Sequence, residues 1–128
     1  MMKTLNHVVL LSAWVASASS SAVAHHSGQF FADETVTLTG TVKEMQLTNP
    51  HSWLEMMVPS EEGEPVQWSI EFSSPVVLFR RGWTRTTVKP GDEVTVVARP
   101  MKDGRPGAAY VAITLPDGST LGRASPTD

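Results

Sequence analysis

The chain of 128 residues is 41% hydrophobic and 18% charged, with 10 Lys and Arg against 13 Asp and Glu for a formal net charge of -3. That composition suits one small globular domain, and its mild acidity argues against nucleic acid as a partner. The absence of Cys excludes disulfide frameworks, thiol nucleophiles, cysteine zinc sites and iron-sulfur ligation.

Residues 1–24 have the three-part layout of a secretory signal peptide. Lys3 supplies the positive start, an apolar stretch runs from Val8 to Ala16, and a Ser/Ala tract ends in Ala22-Val23-Ala24 with small residues at the cleavage positions. The apolar stretch is far shorter than the roughly 20 residues that span a bilayer, so cleavage after Ala24 is expected rather than an integral membrane anchor. Cleavage there leaves 104 residues, removes Lys3 and takes the formal charge to -4. The mature chain is then a periplasmic or secreted protein, whose stability must come from packing alone.

From Glu34 onward Val36, Leu38, Gly40 and Val42 alternate with Thr35, Thr37, Thr39 and Thr41, the period of a half-buried strand. The phase then changes to Met45 and Leu47, which predicts a bulge or bend about the mid-strand Gly40. Trp53, Leu54, Met56 and Val58 predict a second strand. An acidic turn follows from Pro59 to Pro65, and Val66 to Phe72 return as a third strand. Ser73-Ser74-Pro75 offers a hydroxyl cap and an early Pro for a short helix through Phe79, ended by Arg80-Arg81-Gly82, with Gly82 in the left-handed cap position. The turn Lys89-Pro90-Gly91-Asp92 launches a strand over Glu93 to Arg99. A further strand spans Ala109 to Leu115, and Pro116-Asp117-Gly118 turns the chain into a short returning strand at Thr120 and Leu121.

Three strands, one short helix between strands 3 and 4, and two further strands define an all-β fold, a small five-stranded Greek-key barrel of OB-like type. The bend in the first strand supports closure, because a strand shared by both halves of a barrel must bend. A plain antiparallel sandwich is the alternative. The expected organisation is a signal peptide at 1–24, a barrel domain at 25–122 and a disordered tail at 123–128.

Several motifs together resemble a bacterial family of small exported proteins carrying a domain of unknown function (family 6152). They are Ala24-His25-His26-Ser27, Leu38-Thr39-Gly40-Thr41-Val42-Lys43-Glu44, Thr48-Asn49-Pro50-His51, Trp68-Ser69-Ile70-Glu71, Arg80-Arg81-Gly82-Trp83 and Lys89-Pro90-Gly91-Asp92-Glu93-Val94. The resemblance covers nearly the whole mature chain. It implies a periplasmic or secreted location in a Gram-negative bacterium and favours the barrel, and it brings no activity with it.

Cleavage after Ala24 makes His25 the first residue, whose amine and ring nitrogen chelate one ion. His26 or His51 would complete a nitrogen site suited to copper. Cleavage after Ala22 would instead leave Val23-Ala24-His25, an arrangement suited to square-planar Cu(II) or Ni(II). Against this, paired histidines at a mobile terminus are often no more than polar. The methionines Met45, Met56, Met57 and Met101 are expected to fill the core rather than ligate Cu(I). His51 follows Asn49-Pro50 at the entrance to a strand, a common place for a functional side chain. Trp53, Trp68 and Trp83, with Phe72 and Tyr110, either line a ligand cleft or form most of the core. Arg80, Arg81 and Arg85 are the one basic cluster, able to grip a carboxylate or phosphate or simply to end a helix.

No hydrolase triad signature, His-Glu-x-x-His, phosphate loop or dinucleotide fingerprint occurs, so an enzyme is not expected. Two readings remain. One is an exported, non-catalytic binding or accessory module holding copper at His25, His26 and His51. The other is a small-molecule or peptide-binding barrel without metal, using Trp53, Trp68, Trp83, Arg80 and Arg81.

Overall fold

The computed structural model describes residues 29–123. Seven elements follow in order: β1 (Val36–Gln46), β2 (Ser52–Ser60), β3 (Gly63–Phe72), α1 (Pro75–Arg80), β4 (Glu93–Pro100), β5 (Gly107–Thr114) and β6 (Thr120–Gly122). The sheet runs β3-β2-β1-β4-β5-β6, and an additional β3–β5 pairing brings its ends together. That pairing is parallel, through Ser69–Gly107, Ile70–Ala108 and Glu71–Ala109, and it closes five strands into a barrel rather than a sandwich. Among the described residues no helix is long and apolar enough to cross a membrane.

Closure depends on β1. Its first half pairs with β4 from Val36–Ala98 to Thr41–Glu93, and its second half pairs with β2 from Thr41–Met57 to Gln46–Trp53. The handover is fixed at Val42, whose N–H donates to the Asp92 carbonyl and whose own carbonyl accepts from Gly91 N–H, both at 2.8 Å. The bulge predicted at Gly40 lies between Val42 and Glu44 instead, and it moves the inward positions from Leu38 and Val42 to Met45 and Leu47. Gly40 has a different task. A methyl group there would strike the Met57 carbonyl oxygen, so β1 and β2 approach closely only because this residue has no side chain.

The interior is built from alternate residues of every long strand. Leu38 and Val42, Leu54 and Met56, Ile70 and Phe72, and Val94, Val96 and Ala98 form one cluster, completed by Ala108 and Ile113 of β5. Burial of each large aliphatic side chain contributes on the order of 1.5–3 kcal/mol. The β2–β3 hairpin pairs as far as Ser60–Gly63, so β3 starts three residues before its predicted boundary.

Helix α1 packs on the barrel core through Leu78, its one buried residue. The predicted hydroxyl cap does not form: Ser74 makes no side-chain cap hydrogen bond, although its carbonyl accepts from Leu78 N–H at 3.1 Å. At the other end Gly82 adopts φ 93° as predicted. Gly82 N–H donates to Phe79 O at 3.2 Å and Trp83 N–H donates to Leu78 O at 3.1 Å, the bond pattern of a Schellman turn. The turn drives Trp83 into the core beside Leu78.

Candidate functional site

The β3–β5 ladder lasts three register pairs, after which the strands part. A groove of about 760 Å³ opens where they diverge, walled by α1 and its end turn on one side and by β5 and β6 on the other. Its polar lining comes from His51, Glu71, Ser73, Arg81, Arg99 and Arg123, together with Tyr110.

The register explains why distant residues meet here. Trp53 pairs with Glu71, Glu71 with Ala109 and Ala109 with Arg99, so one row crosses β2, β3, β5 and β4 on the outer face of the barrel. His51 lies two residues before Trp53, after a turn closed by Thr48 Oγ1 donating to the His51 carbonyl at 2.7 Å. From there its Nδ1 meets Glu71 Oε1 at 3.0 Å. Arg99 is held from the far side, where its Nε donates to the Ala32 carbonyl at 2.7 Å and its terminal nitrogen is 3.7 Å from the exposed Asp33 carboxylate.

Below these charged groups lies an aromatic trio. Phe72 stacks on Tyr110 with centroids 4.1 Å apart, and Trp83 meets Phe72 and Tyr110 edge-on at 5.2 and 5.8 Å. Phe72 and Trp83 are core residues, 2% and 3% exposed, whereas Tyr110 is half-buried. Its hydroxyl is shut off from solvent with no hydrogen-bond partner. Burial pushes the phenol up to about 12, opposed by the Trp83 side chain, which lies near the hydroxyl without reaching hydrogen-bond geometry, and by the Arg81 charge, so the group is a neutral donor at physiological pH.

Of the residues singled out from sequence, His51, Arg81 and Trp83 lie on the groove. Trp53 is on the outer face of β2, and Trp68 packs against the core cluster, so neither reaches it. Arg80 is exposed in the last turn of α1 and does not line the groove, and Arg85 sits 5.7 Å above the Phe79 ring. The three arginines therefore do not act as one cluster. His25 and His26 lie outside the described residues. Among the described residues no group of three or more His, Cys, Asp or Glu side chains is placed to hold a metal ion, and the acid that His51 pairs with is Glu71.

Sequence reasoning missed Arg99 and Arg123. Arg99 carried a weak signal as the charged residue ending the apolar β4 run, but Arg123 carried none, because its place depends on β6 turning back along β5.

No curated protein matches the chain. Among solved structures, the chain is similar to two crystal structures of Rim1, the mitochondrial single-stranded DNA binding protein of S. cerevisiae. In the first it has 18% identity and a TM-score of 0.47, with 66% of this chain and 93% of that chain covered. In the selenomethionine-labelled form it has 19% identity and a TM-score of 0.41, with the same coverage. A family model matches residues 12–109, well over half of the sequence, and the chain belongs to that family, described as a family of unknown function (DUF6152).

Proposed function

We propose that the chain is an exported, non-catalytic module that binds a small molecule in the groove between α1, the end of β3 and β5–β6. The observation that carries this reading is the groove itself. Its volume of about 760 Å³ falls in the range of roughly 300–1,000 Å³ usual for small-ligand sites. Polar groups converge on it from several separate strands and loops, over an aromatic floor. Export is supported by the leader-like residues 1–24, with Lys3, the Val8–Ala16 stretch and Ala22-Val23-Ala24.

The test is shift mapping on the untagged chain purified from the periplasm, using a library of small neutral and charged fragments. Ligands of the groove should move the Trp83 indole and Tyr110 ring signals together. Hits that leave both signals in place would overturn the reading. Denatured intact mass of the same sample fixes the N-terminus, where a start at His25 or Val23 is expected and an uncut residue 1 would overturn export.

Copper at His25 and His26 is the second reading, favoured by their position directly after the expected cleavage point. Of the groove residues it would draw on His51 alone, whose ring already meets Glu71. Native mass with added copper should then show one retained ion that is lost in His25→Ala and kept in Arg81→Ala.

A further inference from the structure

The charges on the groove are unbalanced in a protein that is acidic overall. Three arginines, Arg81, Arg99 and Arg123, line it against one acid, Glu71, and His51 already occupies an oxygen of that carboxylate at 3.0 Å. Among the described residues neither Arg81 nor Arg123 pairs with an acid, and Arg99 has only the exposed Asp33 at 3.7 Å. Its Nε bond to the Ala32 carbonyl holds the Arg99 head in place without neutralising it. Solvated arginines on a convex surface need no partner. Three of them converging on one concavity of an acidic chain make a local positive field that concentrates anions.

The second observation is the Tyr110 hydroxyl. A buried hydroxyl without a partner is destabilising, and each such group in a folded chain calls for an explanation. Tyr110 lines the groove and its hydroxyl feels Arg81, but the oxygen itself is shut off from the groove by β6: a methyl group placed on Gly122 would come within 2.6 Å of Tyr110 Oη. Strand β6 has only three residues, paired on one side to β5, and Arg123 follows it directly. The same short strand thus shields the hydroxyl and carries one of the three arginines.

We infer that the groove takes an oxyanion, a carboxylate or a phosphate group, with Arg81, Arg99 and Arg123 as its charge partners and the Tyr110 hydroxyl, uncovered when the three-residue β6 shifts off it, as a neutral donor to one of its oxygens. Guanidinium groups match both anions through paired N–H donors, and a phenol that stays protonated donates without adding charge. The inference rests on the groove being the binding site, as proposed above.

The experiment titrates the exported chain at constant ionic strength with sodium phosphate, sodium citrate and neutral benzyl alcohol. Tryptophan fluorescence and calorimetry are the readouts, for the parent, Tyr110→Phe and Arg81→Gln. Phosphate or citrate should saturate with a Kd of about 1 mM or below, and the tighter of the two identifies the source of the oxyanion. Tyr110→Phe should weaken that binding about tenfold and Arg81→Gln by at least as much, with unfolding midpoints that show both variants folded. Unchanged anion affinity in Tyr110→Phe would overturn the role of the hydroxyl. If benzyl alcohol changes the tryptophan fluorescence and neither anion does, the groove stands and the oxyanion is overturned. If none of the three perturbs it, the groove reading falls together with the inference.

Discussion

The barrel interior and the groove end are made by the same strands under opposite rules. In the interior, every inward position of β1, β2 and β4 is apolar, or is glycine where backbones nearly touch, apart from the buried Ser52. Four antiparallel ladders pair the backbone around it. At the groove end the closing ladder is three pairs long, three arginines line the groove against one acid, and a hydroxyl is buried without a partner. Packing accounts for the first region completely. It does not account for the second, where residues cost stability or contribute little to it, and such residues are candidates for binding.

Substitutions in the interior should have the largest effect. Leu54 is fully buried, and Leu54→Ala should cost on the order of 2–5 kcal/mol through lost transfer free energy and a cavity between β1 and β3. Gly40→Ala should cost about 1–3 kcal/mol, because the added methyl presses on the Met57 backbone, which cannot move without pulling β2 off β1. Arg81→Ala and Arg123→Ala should each stay within about 0.5 kcal/mol of the parent in denaturant unfolding. A large loss in either arginine variant would erase the contrast and make the groove a structural feature.

The contrast also explains what could be read in advance. The interior was legible because strand periodicity is a local signal. Val36 to Val42 and Glu93 to Arg99 alternate plainly, and the order of strands around Pro75–Arg80 then left few topologies. Even there the sequence points to a bulge three residues early, since Gly40 stands out as a mid-strand glycine while the register slip at Lys43 leaves no mark in the sequence. The groove was legible only in part. His51, Arg81 and Trp83 stand out in the sequence, yet the Glu71 carboxylate that holds His51 is 20 positions away and met only through the β2–β3 register. Trp53 and Trp68 were grouped with Trp83 by residue type. Strand parity places Trp53 outside and Trp68 inside, while the Schellman turn at Gly82 sends Trp83 to the groove floor.

Between the two regions lies β6, and an intermediate effect is expected there. Gly122 has φ 105°, and a methyl group would strike the Val111 carbonyl oxygen as well as crowd Tyr110. Gly122→Ala should cost about 1–2 kcal/mol from the left-handed backbone. The loss should be confined to the last strand: faster exchange of the Arg123 amide, which donates to Val111 O at 3.1 Å, with the amides of β1 and β4 unchanged. Faster exchange throughout the barrel would mean that β6 belongs to the core unit.

The smallest effect is the most specific. Replacing Tyr110 by Phe removes the unpartnered oxygen and keeps the ring stacked on Phe72, so stability near neutral pH should be unchanged or rise by up to about 1 kcal/mol. Alkaline pH separates the two proteins further. The phenol titrates near 10 when unfolded and at about 12 when folded, so between those values the unfolded chain has released a proton that the folded chain retains. The unfolded state binds fewer protons across that window, and stability falls as pH rises through it. Below pH 10 this contribution is fully present. Because Tyr110 is the one tyrosine in the chain, phenolate absorbance reports this group alone, and Tyr110→Phe should flatten the alkaline limb of the stability curve. An ordinary tyrosine titration in the folded protein would mean that β6 already stands open and that the hydroxyl is solvated rather than held for a ligand.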